Sequence, residues 1–208
     1  MTHKHLIPEA SKSFPKTLAA LEYAHGLHAG QRRRADGAPF ILHPLEVCCL
    51  LYHAGAPDHV IAAGVLHDTI EKTDANAADL TRRFGLTIAT LVLAVSEDQR
   101  ILGYAQRKAA LREQVASAGR EALMVFAADK ISKARELRLD REQTRQSRPQ
   151  PALVRAERDR KLAHYHHCLD LLEQLLTDSP LVTQLQTELE RVPGIPNGLP
   201  QPPCVVCL

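Results

Sequence analysis

Four histidine and aspartate residues of this 208-residue chain are the candidates for a divalent-metal site, and they occur at three separate places in the sequence. His67 and Asp68 are adjacent at the end of an apolar run, His43 precedes a proline, and Asp129 follows Ala128. Neighbouring residues of a helix point in different directions, so His67 and Asp68 can share an ion only if other helices bring further ligands to it. We expect His43, His67, Asp68 and Asp129 to form one metal site.

The chemistry of this set follows from its donor atoms. Two imidazoles and two carboxylates suit Mn²⁺, Fe²⁺, Zn²⁺ or Mg²⁺ and leave coordination positions for water and substrate. An ion held in this way lowers the pKa of a bound water molecule and polarises a phosphoryl oxygen, which are the two requirements of phosphoester hydrolysis. Glu71 lies three residues after Asp68. If the helix continues, its carboxylate is on the same face and can orient or deprotonate the attacking water.

The elements that must position these residues are predicted to be helices, because apolar residues recur at spacings of three and four almost throughout. The run 60–66 forms a helix that ends at the His67–Asp68 pair, and Asp58 is placed to cap its start. The segment 86–95 contains β-branched residues, but its spacing predicts a buried helix. Gly85 is placed to end the helix before it in a left-handed conformation. Further helices are expected at 18–29, 44–53, 77–84, 103–115, 121–139, 153–176 and 181–189, with a linker or loop at 141–151.

The composition limits the class of protein. Hydrophobic residues make up 45% and charged residues 24% of the chain, as in ordinary globular proteins. A net charge of +2 gives no reason to expect a nucleic acid polymer or a membrane surface as partner. The sequence has no apolar run of about 18 residues and no apolar core of a signal peptide at its start, so a cytoplasmic location is expected.

We expect one domain with two appendages: an N-terminal arm at 1–13, the domain at 14–192, and a disordered proline-rich tail at 193–208. The tail contains Cys204 and Cys207, which form half of a zinc-binding pattern with no second half in the sequence. The sequence leaves open whether the protein forms a homo-oligomer.

The ordered motifs resemble those of the HD superfamily of metal-dependent phosphohydrolases. The closest resemblance is to the hydrolase domain of RelA/SpoT-type proteins and to the small alarmone hydrolases, and it extends from about residue 24 to 139. It rests on the segments Arg32–Pro44, Leu66–Glu71, Phe84–Gly85, Val95–Asp98, Arg107–Lys108 and Ala128–Lys130. The resemblance implies an all-α fold, the HD-domain helical bundle.

The resemblance also implies a function and a set of residues for it. The implied activity is Mn²⁺-dependent removal of the 3′-pyrophosphate from guanosine tetra- or pentaphosphate, a small-molecule substrate. The four ligands would be His43, His67, Asp68 and Asp129, and the catalytic pair that follows the HD motif would be Glu71 and Lys72. The substrate-binding residues would be Arg32, Arg33, Lys108, Lys130, Lys133 and Tyr165.

The chain departs from the family pattern at two positions. The family has an acidic residue at the position of Lys72, and alarmone hydrolases commonly have Asn at the position of Lys133. A charged ammonium group cannot accept a proton from water, so these changes leave three interpretations open. The first is hydrolysis of the alarmone, the second is hydrolysis of a different nucleotide, and the third is binding of metal or nucleotide without turnover.

Overall fold

The computed structural model of the protein describes residues 13–145 and 151–192. Its helices are α1 (Pro15–Leu27), α2 (Leu42–His53), α3 (Asp58–Leu66), α4 (Thr69–Lys72), α5 (Ala77–Phe84), α6 (Leu86–Val95), α7 (Tyr104–Ala118), α8 (Arg120–Arg145), α9 (Ala152–Leu175) and α10 (Pro180–Glu190). Within the described residues there is no β-strand, and the single isolated bridge joins Arg32 to Pro39. The predicted all-α fold is therefore confirmed.

Helix α3 lies at the centre of the molecule. Every residue from Val60 to Leu66 is buried, because helices α1, α2, α6 and α8 all pack against α3. A helix that is apolar on all sides is stable only when it is enclosed in this way. The central helix therefore ends in the interior of the protein, and His67, which directly follows it, has a polar side chain that needs partners there.

The second half of the chain completes the bundle. Helix α8 is 26 residues long, and it packs against α2 and α3 as well as against α7, α9 and α10. Helix α6 forms as predicted and buries Ile88, Val92 and Val95, whereas Leu86 at its start is 70% exposed. Gly85, which precedes α6, has a φ of 86°. The positive φ favours glycine, as the sequence predicted, but the ψ of 164° is extended, so Gly85 does not form the predicted left-handed cap.

The prediction that Asp58 caps its own helix is wrong. Its carboxylate accepts hydrogen bonds from the backbone N–H groups of Lys16 (3.0 Å) and Thr17 (2.9 Å) and from the Thr17 hydroxyl (2.8 Å). These donors lie in the first turn of α1, where backbone N–H groups have no partner within the helix. Asp58 therefore fastens the start of α1 to the start of α3.

The predicted linker at 141–151 begins too early, because α8 continues to Arg145. The residues from 141 to 145 favour helix and contain no proline, so the lack of an apolar pattern did not prevent a helix there. The predicted tail at 193–208, with Cys204 and Cys207, and the predicted arm up to residue 12 lie outside the described residues. No helix in the described part of the chain is both long and apolar enough to cross a membrane.

Candidate metal centre and substrate cleft

The four predicted ligands meet in the interior, brought together by three helices and one turn. His43 lies in the first turn of α2, His67 directly follows α3, Asp68 lies in the turn before α4, and Asp129 is on α8. The exposed fraction of these residues is between 1% and 5%. Polar groups this deeply buried are costly unless they are paired or bind an ion.

The donor atoms lie at the spacing that ligands of one ion have. The Nε2 atoms of His43 and His67 are 3.1 Å apart, and they lie 3.2 and 3.3 Å from Asp129 Oδ1. Asp68 Oδ2 lies 3.5 Å from both Nε2 atoms. Metal bonds of 2.0–2.2 Å place neighbouring ligand atoms roughly 3.0 to 3.5 Å apart. His43, His67 and Asp129 together can therefore hold a metal ion.

Two further observations favour a cation at this point. The Nδ1 of His67 lies 2.7 Å from the carbonyl oxygen of Gly64, which can only accept, so Nδ1 carries a proton and Nε2 faces the cluster. Asp68 Oδ2 is buried and has no hydrogen-bond partner among the described residues. An unpartnered carboxylate oxygen beside two imidazole nitrogens forms a set of acceptors that a divalent ion would satisfy.

The electrostatics of the cluster agree with this interpretation. Burial opposes ionisation of both Asp68 and Asp129, but nearby positive charges lower the pKa of both carboxyl groups. For Asp68 these charges are those of Lys133 and the imidazoles. For Asp129 they are those of Lys130 and Lys133. Burial would lower the pKa of His67, yet the charges of Asp68 and Asp129 raise it. Burial lowers the pKa of His43. Both carboxyl groups are thus ionised at neutral pH and attract a cation.

A cleft of about 770 Å³ opens above the cluster, with His43 and Asp68 in its wall. Nine lysine and arginine residues line it against six aspartate and glutamate residues, so its charge favours an anionic substrate. All the predicted catalytic and substrate-binding residues line this cleft. They are Arg32, Arg33, Glu71, Lys72, Lys108, Lys130, Lys133 and Tyr165.

The two predicted arginines belong to a loop that their own side chains hold in shape. Arg32 donates to the carbonyl oxygen of Gly37 at 2.8 Å, and Arg33 forms an ion pair with Asp36. Arg33 also lies 3.7 Å from a carboxylate oxygen of Glu136. The bond to Asp36 raises the pKa of Arg33, which stays charged at the edge of the cleft.

The predicted lysines differ in how they are held. Lys130 is 3% exposed; its ammonium group lies 2.6 Å from Asp129 Oδ2 and 4.5 Å from the ring centre of Phe126. Lys133 lies 2.9 Å from Asp129 Oδ1, the oxygen that faces both imidazoles. Burial by itself would lower the pKa of Lys133, but the negative charges of Asp129 and Asp68 raise it. Both lysines neutralise Asp129.

Lys108 and Tyr165 also line the cleft. Lys108 forms an ion pair with Glu97, and burial together with the charge of Lys130 lowers the pKa of its ammonium group. Tyr165 is 7% exposed, and burial raises the pKa of its hydroxyl. Tyr165 therefore remains neutral and can take part in hydrogen bonding to a substrate.

Glu71 and Lys72 lie side by side on α4, but they are held differently. One oxygen of Glu71 accepts a hydrogen bond of 2.6 Å from the backbone N–H of Glu97. Lys72 is exposed, and its ammonium group lies 4.0 Å from Asp68 Oδ1 and 5.5 Å from the ring centre of Phe40. The carboxylate is thus fixed in the wall of the cleft, and the ammonium group lies at its mouth.

Sequence reasoning missed several residues around the site. Glu97, to which the sequence alone assigned no role of its own, pairs with Arg107 and Lys108 and is held against Glu71. Its position two residues after a buried apolar helix was the signal that could have identified it. Ser132, which contacts His43, and Glu46, which accepts from Ser132, gave no such signal because single polar residues on helices are common.

Comparison with known proteins identifies the fold family. The family model described as HD domain matches residues 20–153, which is more than half of the chain. The chain belongs to the HD domain family. A solved structure titled "A metazoan ortholog of SpoT hydrolyzes ppGpp and plays a role in starvation responses" matches this HD domain with a TM-score of 0.70 and 25% identity. The match covers 85% of this chain and 94% of that one.

Curated relatives of this HD domain include short and long proteins. A Danio rerio protein named guanosine-3′,5′-bis(diphosphate) 3′-pyrophosphohydrolase MESH1 is 35% identical over 123 residues, which are 58% of this chain and 68% of the relative. A probable GTP pyrophosphokinase of Mycobacterium leprae is 33% identical over 65% of this chain but only 17% of its own length. The predicted relationship to the metal-dependent HD phosphohydrolases and RelA/SpoT-type proteins is confirmed.

Proposed function

We propose that the protein is a metal-dependent 3′-pyrophosphohydrolase of guanosine 3′,5′-bis(diphosphate), ppGpp. The observation that carries the proposal is the buried cluster of His43, His67, Asp68 and Asp129 at the base of a cleft lined mainly by cations. It is supported by the 35% identity to the Danio rerio protein that bears this activity in its name. Water would add to the phosphorus bonded to the ribose 3′ oxygen, that P–O bond would break, and GDP and pyrophosphate would leave.

The four residues of the cluster would hold one divalent ion, and we infer Mn²⁺ from the resemblance to the alarmone hydrolases, because the nitrogen and oxygen donors by themselves also suit Fe²⁺, Zn²⁺ and Mg²⁺. When bound, the ion supplies a Lewis acid for the phosphoryl oxygen and lowers the pKa of a bound water molecule. Lys130 and Lys133 balance the charge of Asp129, so the cluster as a whole is less anionic than its two carboxylates suggest.

Glu71 would orient the attacking water and accept its proton. Its carboxylate is held by the Glu97 backbone with one oxygen, which fixes the direction in which the group faces the cleft. A general base that is already fixed in place loses little conformational freedom when the reaction occurs.

The basic residues would bind the phosphates. Arg33 is the strongest candidate, because its guanidinium group is charged, lies at the edge of the cleft and can contact phosphate oxygens at two points. Lys72 would act as a phosphate contact at the mouth of the cleft rather than as a second carboxylate. This assignment accounts for the change of charge at that position without a loss of turnover.

The test is an assay of the full chain purified with Mn²⁺, in which ppGpp is compared with GTP, GDP and other nucleotides. The proposal predicts stoichiometric GDP and pyrophosphate from ppGpp, and loss of both products in Asp129→Asn. Asp79→Asn is the matched control, because Asp79 is an aspartate on α5 that pairs with Arg82 and does not line the cleft.

Other outcomes select the alternatives. Orthophosphate from a different nucleotide, with ppGpp left intact, would identify an HD nucleotidase of another specificity. Binding of ppGpp without product, with turnover restored by Lys72→Asp, would identify a non-catalytic binding protein. A cytoplasmic location and formation of a homo-oligomer remain predictions, which fractionation of cells and light scattering would test.

A further inference from the structure

His43 and His67 offer the same atom to the cluster but are held by different means on the other side of the ring. The Nδ1 of His67 is held by the backbone oxygen of Gly64, whereas the Nδ1 of His43 lies 2.8 Å from the hydroxyl oxygen of Ser132. Ser132 is fully buried, and His43 is 1% exposed. A hydroxyl group can donate or accept, so this contact alone leaves the position of the proton on His43 undetermined.

Glu46 settles the direction of this hydrogen bond. The Ser132 hydroxyl donates to Glu46 Oε2 at 2.7 Å. A hydroxyl group has a single proton, so once that proton is given to Glu46 the Ser132 oxygen can only accept from His43. The proton of neutral His43 is then on Nδ1, and the lone pair on Nε2 faces His67, Asp68 and Asp129.

Glu46 is itself fixed by a second charged group. Arg135 donates to Glu46 Oε1 at 2.8 Å and, through its Nε, to Glu188 Oε1 at 2.9 Å. Glu188 is on α10 and is 4% exposed, so Arg135 is held between two carboxylates. Each oxygen of Glu46 thus has its own donor, which keeps Oε2 directed at Ser132.

We propose that Ser132 and Glu46 are positioning residues that hold His43 in the Nδ1–H tautomer and thereby determine how tightly the cluster binds metal. The inference rests on the proposed function only in treating His43 as a ligand. Groups that orient a ligand in this way typically change metal affinity by 10- to 100-fold when they are removed. The nearby Glu136 Oε1 lies 3.7 Å from His43 Nδ1, which is too far to replace Ser132 without movement.

The experiment measures the tautomers and the metal affinity of the full chain. Long-range ¹H–¹⁵N spectra of the metal-free protein at mildly alkaline pH report which nitrogen of His43 and of His67 carries the proton. Calorimetric titration with Mn²⁺ gives the affinity. The variants are Ser132→Ala, Glu46→Ala and Ser132→Thr, which keeps the hydroxyl group. Ser117→Ala is the matched control, because Ser117 is a helical serine whose hydroxyl, among the described residues, bonds only to the backbone of its own helix α7.

We expect the Nδ1–H form of both histidines in the unaltered protein. Ser132→Ala and Glu46→Ala are expected to mix the tautomers of His43, leave His67 unchanged, and weaken Mn²⁺ binding by roughly 10- to 100-fold. Ser132→Thr and Ser117→Ala are expected to keep both properties. Circular dichroism checks that each variant is folded. If the buried Ser132→Ala variant does not fold, Glu46→Ala still tests the inference, because Glu46 is partly exposed.

Two results would overturn the inference: His43 protonated at Nε2 in the unaltered protein, or Mn²⁺ affinity unchanged in folded Ser132→Ala or Glu46→Ala. Neither measurement uses a nucleotide. If ppGpp is not hydrolysed but the tautomer and the affinity change as expected, the proposed substrate is wrong and the positioning role stands.

Discussion

The buried cluster beneath the cleft (His43, His67, Asp68 and Asp129), which we call the floor, and the basic rim of the cleft (Arg32, Arg33, Arg34 and Lys72) are held in place by different parts of the structure. Floor residues are at most 5% exposed, and they are attached to helices whose packing fixes their positions. Rim residues have long side chains on a loop and a four-residue helix, and three of the four are exposed. Changes at the floor should therefore abolish chemistry, whereas changes at the rim should adjust affinity.

The largest effect is expected at the floor. Asp68→Asn removes the negative charge of an oxygen that faces both imidazoles, so metal binding and turnover should both fall. Loss of Lewis-acid assistance is worth several kcal/mol, so kcat/KM should decrease by more than about 1000-fold. Metal content by mass spectrometry and the ppGpp assay measure this. Unchanged metal content in a folded variant would remove Asp68 from the ligand set.

The second largest decrease in activity is expected for a change at Glu71, which lies between the floor and the rim. Glu71→Gln keeps the size of the side chain but cannot accept a proton, so kcat should decrease by roughly 100-fold or more while Mn²⁺ affinity stays near that of the unaltered protein. Steady-state kinetics and calorimetry test the two parts separately. A decrease in metal affinity of the same size would assign Glu71 to the floor as a ligand.

A third substitution tests whether the packing beneath the floor is as tight as the comparison requires. Gly64 is on α3, and an added Cβ would collide with Leu51 and lie 3.2 Å from Val47 Cγ1, both on α2. Gly64→Ala should therefore decrease the free energy of unfolding by about 1–3 kcal/mol. Urea denaturation measures this.

Gly26→Ala is the control for Gly64→Ala. Gly26 is a glycine in helix α1 with no atom within 4 Å of an added Cβ, so alanine should increase the free energy of unfolding by about 0.5–1 kcal/mol. Equal changes in the free energy of unfolding at the two positions would show that α2 and α3 can move to accommodate the added methyl group.

The smallest effect is expected at the rim. Arg33→Ala removes a charge-assisted contact with phosphate, worth about 1.4 kcal/mol, so KM should rise roughly tenfold with little change in kcat. Arg82→Ala is the matched control, because Arg82 also pairs with an aspartate three residues away but lies on α5 outside the cleft. A large decrease in kcat for Arg33→Ala would mean that the rim takes part in the chemical step.

Features that leave a local pattern in the sequence were predictable, whereas contacts between residues far apart in the chain were not. The helices were predictable because buried helices leave a periodic apolar pattern, and the meeting of the four floor residues was predictable because they occur in the motif order of the HD superfamily. The partner of Asp58 was not predictable, since its carboxylate bonds to Thr17 in the first turn of α1, 41 residues earlier in the chain. The contact of Ser132 with Glu46 joins residues 86 apart, and no local pattern reports it.

The link between Asp58 and Thr17 also has a consequence for the loop that carries the arginines. It connects the start of α1 to the start of α3. The segment from Arg32 to Arg34 and the start of α2 lie between these two points in the chain. Ordering a segment costs conformational entropy, and a segment anchored at both ends has lost much of that entropy when the protein folds. A nucleotide that binds at the rim then meets a loop already held in place, so more of its contact energy remains available as affinity.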